Sequence, residues 1–270
     1  MLDDVLPANT RDLGVLLELK NLKRYFGGVK AVDGVSISIQ KGHVHGLIGP
    51  NGSGKSTVVN VISGLYAPTS GEVLLLGKPL PAGSLFSVAR AGVSRTFQNL
   101  QLFGELSALD NVMLALKDAY RIPVLLVLLG FSRAEDRRAQ AEALALLELA
   151  GLADQARVRA KDLTYGSQRF LEIARALARK PELLILDEPA AGLAHPDVAV
   201  LVEMIRTIKR RGITTILIEH HMDVVSKLCD QVTVVDGGQV IARGTPDEVN
   251  RDPQVIKAYL GVVPDEIIPA

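Results

Sequence analysis

A glycine-rich stretch between an apolar run and a helical segment carries the residues best suited to chemistry. Residues 44–57 read V-H-G-L-I-G-P-N-G-S-G-K-S-T, and Gly49, Gly54, Lys55 and Ser56 fit the spacing G-x-x-x-x-G-K-[ST]. Glycines let the backbone curl until successive N–H groups point at one anion, and the following helix directs its positive end there. A glycine-rich turn that binds nothing is disfavoured by the flanking strand and helix. The prediction is a nucleoside triphosphate site made by Gly49, Pro50, Asn51, Gly52, Ser53, Gly54, Lys55, Ser56 and Thr57.

Two adjacent carboxylates follow another apolar run. Residues 183–188 read L-L-I-L-D-E, which is typical of a central strand in a parallel sheet that is covered on both faces. The C-terminal ends of such strands are where α/β sheets bind ligands. We expect Lys55 to reach the β- and γ-phosphates and the Ser56 hydroxyl to bind Mg²⁺. Asp187 is the expected second Mg²⁺ partner, through water, and Glu188 the candidate base for an attacking water. An Asp-Glu pair alone is usually a solvated turn.

Three further residues are candidates for the site because of their positions in the chain, although their residue types alone indicate no function. Phe26 follows Tyr25 in a predicted turn over residues 24–28, shortly before the glycine-rich loop. Such an aromatic pair is either a platform for stacking a base or ordinary core packing. Gln98 follows a short predicted strand over 93–97, and His220 follows a predicted strand over 213–218.

Composition bounds the class of protein. Lys and Arg together number 30 and Asp and Glu also number 30, so the net charge is zero and gives no support for a nucleic-acid partner. Cys229 is the single cysteine, so an internal disulfide is impossible and a reducing compartment fits. The first residues show no secretory signal, and the longest uncharged apolar run, 122–131, is about half of what a spanning helix needs. We expect a cytoplasmic protein that does not itself cross a membrane.

Hydrophobic periodicity predicts alternating strands and helices around these positions. The remaining predicted strands are 15–20, 35–40, 44–48 and 72–76, with a hairpin over 232–242 that turns at 236–238. The predicted helices follow Lys55 as far as Gly64 and cover 110–120, 133–150, 196–211, 222–229 and short pieces of 246–260. The predicted helices over 110–120 and 133–150 form a helical insert in an α/β core. Its apolar stretch, 123–129, is either a buried helix or a contact surface for another protein or the membrane face.

The order of these pieces resembles the ATP-binding-cassette ATPases over about residues 15–260. The order is an aromatic turn, the phosphate loop, a glutamine after a strand, a helical insert, L-T-Y-G-S-Q at 163–168, L-L-I-L-D-E-P at 183–189, and a histidine after a strand. The resemblance implies an α/β fold in which a RecA-like parallel sheet and an antiparallel β subdomain form the core of a P-loop NTPase. An α-helical subdomain, about 99–165, is inserted between the Gln98 loop and the signature. The ATPase domain is expected over 15–262, with tails at 1–14 and 263–270.

The resemblance also assigns roles. It implies that Phe26, or failing it Tyr25, stacks on adenine. Gln98 is then expected to contact Mg²⁺ and signal to a partner subunit, and His220 to lie near the γ-phosphate. ATP and Mg²⁺ are the implied cofactors.

The family signature, usually L-S-G-G-Q, aligns with residues 163–167. Thr164 keeps a hydroxyl and Gly166 keeps the close backbone approach, and both are expected to cap, in trans, the nucleotide bound by a second subunit. Tyr165 replaces a glycine and Ser167 a glutamine. Ala194 stands where the loop after the acidic strand normally carries aspartate, which implies looser coupling between two sites or an asymmetric dimer.

Finer features are similar to the LivG-type subunits of branched-chain amino acid importers. They are the tyrosine in the signature, D-E-P-A-A-G-L, I-E-H at 218–220, G-T-P at 244–246 and D-P-Q-V-I-K-A-Y-L-G near the end. The resemblance implies an ATPase that lies on the inner face of the cell membrane and powers separate transmembrane permease subunits. A second ATPase subunit, identical or LivF-like, and indirectly a solute-binding protein are the implied partners, with no nucleic acid.

Four alternatives remain. A urea or amide importer and a lipid or lipopolysaccharide exporter use similar subunits. A soluble cassette ATPase acting on DNA or ribosomes is disfavoured, because the insert carries no long coiled coil and the chain has one cassette. A phosphate-loop kinase or GTPase is disfavoured by the Gln98, signature and His220 series, and by the lack of N-K-x-D.

Overall fold

The computed structural model describes residues 14–116 and 133–260. The strands are β1 (Val15–Phe26), β2 (Val29–Gln40), β3 (Val44–Ile48), β4 (Ser70–Leu75), β5 (Lys78–Pro79), β6 (Val93–Arg95), β7 (Leu183–Asp187), β8 (Thr214–Ile218), β9 (Gln231–Asp236) and β10 (Gln239–Gly244). The α-helices are α1 (Lys55–Ile62), α2 (Leu85–Arg90), α3 (Ala108–Met113), α4 (Arg133–Leu149), α5 (Tyr165–Leu177), α6 (His195–Arg210), α7 (Met222–Leu228), α8 (Pro246–Asn250) and α9 (Pro253–Leu260).

The central sheet has six strands in the order β10-β9-β3-β8-β7-β6. Strands β9, β3, β8, β7 and β6 run parallel, and β10 closes the edge as the antiparallel arm of the predicted hairpin. Every residue of β3, β7 and β8 is buried, as their apolar runs predict for strands covered on both faces. Because the five strands are parallel, the loops that leave β3, β6, β7 and β8 lie at one edge of the sheet.

Two hydrophobic clusters lie on the two faces of this sheet. Along β7, Leu184 and Leu186 belong to one cluster, and Leu183 and Ile185 belong to the other. The first cluster continues into α4, α5 and α6, and the second into α1 and the antiparallel sheet. Alternate side chains of the central strands therefore pack against the helices α4, α5 and α6 on one face, and against α1 and the antiparallel sheet on the other.

A second, antiparallel sheet has the order β2-β1-β4-β5. The predicted turn over residues 24–28 is wrong in part, because β1 continues to Phe26 and only Gly27 and Gly28 form the turn. Tyr25 pairs with Lys30 and Phe26 with Val29. The β1–β2 pairing contains register shifts, which let the two strands stay paired where polar residues interrupt the alternating pattern. Strand β1 therefore extends beyond its predicted end at residue 20.

The helical insert is also shifted from its prediction. Helix α3 begins at Ala108, two residues early, because the Ser107 side chain accepts a hydrogen bond from the Asp110 backbone N–H and caps the helix there. It ends at Met113 rather than at 120. Helix α4 matches the prediction to within one residue. The apolar stretch 123–129 and the expected tails, apart from Gly14, lie outside the described residues.

Helix α2 was not predicted, since six residues are too few to show helical periodicity. Strand β2 begins at Val29, six residues before its predicted start at 35, and the two-residue strand β5 was not predicted. The other strands and helices lie within a few residues of their predicted bounds. In the ranges 14–116 and 133–260, no helix combines the length and the apolar character that crossing a membrane requires.

A buried histidine in β3 makes stability depend on pH. His45 is 3% exposed, its Nε2 lies 2.9 Å from Thr233 Oγ1, and burial lowers its pKa from 6.5 to about 4. In the unfolded chain the His45 ring is therefore protonated below about pH 6.5, whereas in the folded chain it stays neutral down to about pH 4. The neutral form thus contributes stability above pH 6.5, and this is lost as the pH falls towards 4.

Replacing His45 with glutamine tests this dependence. Between pH 7.5 and pH 5, urea unfolding should show the native chain losing about 2 kcal/mol more than His45→Gln, since one pKa unit is worth about 1.4 kcal/mol. Equal losses in the two proteins would show that His45 is not the titrating group.

Candidate functional site

The predicted site residues meet at the edge of the sheet where the parallel strands end. The glycine-rich loop follows β3, Glu188 follows β7, His220 follows β8, and Gln98 lies three residues beyond β6. In the sheet, β3 and β7 both neighbour β8, and β6 neighbours β7. Four segments that are far apart in the chain thus converge, as expected for a ligand site in an open α/β sheet.

Two glycines of the loop have no room for a side chain. A Cβ on Gly49 would lie 2.0 Å from the Val235 carbonyl oxygen, and one on Gly54 would lie 2.4 Å from the Ala31 carbonyl oxygen. Both residues also have positive φ, at 148° and 108°. The loop is therefore packed between β2 and β9, and its curvature depends on glycine. The Ser53 hydroxyl is buried inside this curve and has no hydrogen-bond partner among the residues that the structure describes.

The lysine of the loop is buried beneath it. Lys55 is 6% exposed, and its Nζ donates to the carbonyl oxygens of Gly49 at 2.7 Å and Pro50 at 2.9 Å. Burial lowers the pKa of Lys55, while the nearby Glu188 and Asp187 carboxylates act to raise it. A buried ammonium bonded to neutral carbonyls, beside a helix N-terminus and an unpartnered hydroxyl, forms a cradle that fits a phosphate anion.

Asp187 is held by an arginine that the sequence analysis did not single out. Arg95 Nη2 lies 2.7 Å from Asp187 Oδ2, and Arg95 Nη1 donates to Asn60 Oδ1 in α1 at 2.6 Å. The Asp187 backbone N–H donates to Thr96 Oγ1 at 3.2 Å. Asp187 is only 7% exposed; the Arg95 pair orients its carboxylate, and the Thr96 bond holds its backbone.

Glu188, His220 and Gln98 come together at the mouth of the site. Glu188 Oε1 lies 2.6 Å from His220 Nε2, and Gln98 Nε2 donates to Glu188 Oε2 at 3.3 Å. Glu188 has a φ of 49°, and its backbone N–H donates to the Ile218 carbonyl at 2.9 Å. A left-handed conformation is unfavourable for a residue with a Cβ, and such strain is typical of functional positions. The three residues predicted to act together are therefore in contact.

The oxygen donors at the site are of the kind that fits Mg²⁺. Within the described ranges, no group of three or more His, Cys, Asp and Glu side chains is arranged to hold a metal ion. A metal here would instead use the Ser56 hydroxyl, the Gln98 amide oxygen and the Asp187 carboxylate together with phosphate oxygens. Such a set, with few protein ligands and hard oxygens, is what Mg²⁺ uses beside nucleotides.

Phe26 lies at the tip of the β1–β2 hairpin and is 39% exposed. Its ring meets the Tyr66 ring edge-on at 5.3 Å, and the Arg24 guanidinium carbon lies 4.5 Å from its centroid. Tyr25, the second candidate, is bonded through its hydroxyl to Asp33. Strand β2, which follows this hairpin turn, packs against the glycine-rich loop at Ala31.

The signature segment forms the N-terminus of α5. Thr164 is the N-cap, and its hydroxyl accepts a hydrogen bond from the Ser167 backbone N–H at 3.2 Å. A Cβ on Gly166 would lie 2.6 Å from Asp197 Oδ2 in the first turn of α6. Gly166 therefore has a role within this chain, in addition to the expected one towards a second subunit, because it lets α5 and α6 approach each other.

Arg169 joins the signature helix to the Gln98 loop. It is 4% exposed, and it donates to the carbonyl oxygens of Phe97 at 3.0 Å and Gln98 at 2.6 Å. Its Nε donates to the Tyr165 hydroxyl at 3.2 Å, which in turn donates to the Ala191 carbonyl. Tyr165, the departure from the usual signature, thus links this arginine to the loop that follows Glu188.

Comparison with known families decides the class. The family profile described as ABC transporter matches residues 32–191, which is more than half of the chain. This chain belongs to the ABC transporter family. A second profile, described as branched-chain amino acid ATP-binding cassette transporter, matches residues 239–265. The predicted membership and the predicted fold are both confirmed, and the chain is an ABC ATPase.

Relatives of this ABC ATPase match nearly its whole length. The high-affinity branched-chain amino acid transport ATP-binding protein LivG of Salmonella typhimurium is 42% identical over 251 residues, covering 91% of this chain and 98% of that protein. The corresponding BraF protein of Pseudomonas aeruginosa is 40% identical, with the same coverage. A crystal structure described as the ADP conformation of an ATP-binding cassette of an ABC transporter superposes with a TM-score of 0.80. It is 34% identical and covers 92% of this chain and 100% of that one.

Proposed function

We propose that this ABC ATPase is the LivG-type subunit of a branched-chain amino acid importer, which hydrolyses ATP to drive a separate permease. The cargo rests on the names of relatives that are about 40% identical over almost the entire chain, and on the branched-chain-specific profile at 239–265. Importers of urea or amides, and exporters of lipids or lipopolysaccharide, are the alternatives for the cargo. The subunit acts on the cytoplasmic face of the membrane, where ATP is available.

The observation that carries the hydrolytic function is the contact of Glu188 with both His220 and Gln98, beside the Lys55 cradle. The loop N–H groups and Lys55 bind the β- and γ-phosphates of ATP. Ser56, Gln98 and Asp187 are the residues that would hold Mg²⁺, Asp187 through water, and the metal would supply positive charge to neutralise the charge that develops on the phosphates. Phe26 stacks on the adenine ring.

Glu188 accepts a proton from the attacking water and thereby makes it a nucleophile. Each of its oxygens has one partner and keeps a further lone pair, so the water can bond to Glu188 while these contacts remain. The contact with His220, at 2.6 Å, is the shorter one, and His220 orients the carboxylate. Arg169 ties the Gln98 loop to the signature helix, so movement of this loop changes the position of the Gln98 amide relative to Glu188.

Two copies of the cassette are required for a complete site. Thr164 and Gly166 at the N-terminus of α5 cap the γ-phosphate of the nucleotide bound by the second subunit, since the positive end of a helix favours an anion. The second subunit is either this chain again or a LivF-like relative.

The permease docks in a groove between the α/β core and the helical insert. A cavity of about 300 Å³ opens there. It is lined by residues of α2, β6 and α5, by Ala115 of the insert, and by Phe97 and Arg179, which follow β6 and α5. Phe86 on α2 stands 72% exposed. Exposed apolar side chains flanked by charge are typical of a protein-binding surface, and Phe97 lies next to Gln98. A permease that moves Phe97 would therefore also move the neighbouring Gln98.

Co-purification tests the assignment. The tagged chain is extracted from its native membrane in detergent, and the proteins that accompany it are identified by mass spectrometry. We expect a pair of permease subunits and a cassette protein. Recovery of ribosomes or DNA in place of membrane proteins would contradict the transport function.

A further inference from the structure

A buried carboxylate precedes His220 and is not assigned to any step above. Glu219 is 1% exposed, which makes it one of the few buried acidic residues in the part of the chain that the structure describes. Burying a carboxylate is costly unless hydrogen-bond donors surround it. The residues that supply these donors therefore indicate what Glu219 does.

Its donors come from two different catalytic loops. Oε1 accepts a hydrogen bond from the Ala190 backbone N–H at 2.8 Å, two residues after Glu188. Oε2 accepts from the backbone N–H groups of His220 at 3.2 Å and His221 at 3.5 Å, and it lies 3.2 Å from the His221 ring Nδ1. One carboxylate therefore bonds the loop after β7 with one oxygen and the loop after β8 with the other.

We propose that Glu219 is a positioning residue that sets the separation between the Glu188 carboxylate and the His220 ring. These two side chains project from loops on neighbouring strands, yet they lie 2.6 Å apart. Glu219 fixes the backbone of His220 itself and, through Ala190, the backbone just beyond Glu188. Its hydrogen bonds go to these two loops, so its effect on catalysis passes through the pair that it holds.

The strained backbone at Glu188 makes such a clamp necessary. A residue with φ near 49° keeps that conformation only where its surroundings fix it. The bond from the Glu188 N–H to Ile218 holds one side of the residue, and the bond from Ala190 to Glu219 holds the other. Freed from Glu219, the loop after β7 relaxes and the Glu188 oxygen moves away from His220.

Replacement of Glu219 with glutamine is the matched test, because the amide keeps the shape and removes one acceptor and the charge. We expect kcat for ATP to fall at least about tenfold while KM stays within about twofold, because a small misplacement of catalytic groups affects the chemical step and not substrate binding. Asp230→Asn is the control. Asp230 also accepts a backbone N–H bond, from Val44 at 2.9 Å, but at the opposite edge of the sheet, and its variant should keep the native kcat.

A second readout needs no turnover. In the full chain, NMR should show faster hydrogen exchange in Glu219→Gln at whichever of the Ala190 and His220 amides faces the new NH₂ group, and shifted nitrogen resonances of the His220 ring. Asp230→Asn should show neither change. Native kcat in Glu219→Gln, or a loss of kcat with unchanged amides and His220 ring, would overturn the proposal, as would a rise in KM equal to the fall in kcat.

The catalytic part of this inference rests on the proposed ATPase mechanism, and the two can fail separately. Absence of ATP turnover in the native chain contradicts the mechanism, whereas the NMR comparison still decides whether Glu219 holds the two loops. Native turnover that survives in Glu219→Gln contradicts the positioning role alone.

Discussion

The Glu188→Gln variant is expected to bind ATP with native affinity and to lose turnover by at least a hundredfold, since a general base contributes about 10²–10⁴ to rate. Glutamine keeps the shape of glutamate and leaves Lys55 and the loop untouched, but it cannot accept a proton from water. Turnover is measured as phosphate release under excess ATP, and binding as equilibrium retention of labelled ATP. Glu203→Gln is the control, because Glu203 is exposed on α6 and pairs with Arg206.

The same variant should accumulate a closed dimer in ATP. On the proposed mechanism, bound nucleotide that is not hydrolysed would keep Thr164 and Gly166 of one subunit over the phosphates of the other. Light scattering after size-exclusion chromatography should therefore show doubled mass with ATP and monomer without it. Continued multiple turnover of ATP by the Glu188→Gln variant would show that Glu188 is not the general base.

Lys55→Ala is expected to lose ATP affinity itself, by about a hundredfold or more. The substitution removes a buried cation that lies at hydrogen-bond distance from two loop carbonyls and is proposed to bind the phosphates. Charge-assisted bonds to phosphate are among the strongest in proteins. The measurement is a direct binding isotherm with ATP. Unlike Glu188→Gln, this variant should fail before the chemical step.

Its control is Lys20→Ala, which removes an exposed lysine that pairs with Glu18 on β1. Thermal unfolding without nucleotide must accompany the binding data, because alanine at position 55 leaves two carbonyls without their donor. Native ATP affinity in a folded Lys55→Ala protein would contradict the assignment of the phosphate cradle.

Much of the fold was predictable because its signals are local. Leu183–Asp187 reads as a central strand from its uninterrupted apolar run, and the glycine spacing before Lys55 identifies the loop whatever its surroundings. The parallel order then brings the ends of β6, β7 and β8 to one edge, so the meeting of Gln98, Glu188 and His220 follows from the topology.

The residues that hold the site were not predictable, because their partners are distant in sequence. Arg95 pairs with Asp187, 92 positions away, and Arg169 reaches the Gln98 carbonyl across 71. A charged residue in a strand or helix usually faces water, and no local sequence pattern distinguishes the few charged residues that are buried. Glu219 is a similar case: the chain order places it beside His220, but only the packing shows the bond to Ala190.

The most direct test of the account is transport by the purified complex. The co-purified permease and cassettes are reconstituted into lipid vesicles with the solute-binding protein, and uptake of labelled leucine is followed with and without ATP. We expect uptake that requires ATP and Mg²⁺, is competed by isoleucine and valine, and is lost when this chain carries Glu188→Gln. Uptake of urea or an amide in place of leucine, or leucine uptake that persists with Glu188→Gln, would contradict it.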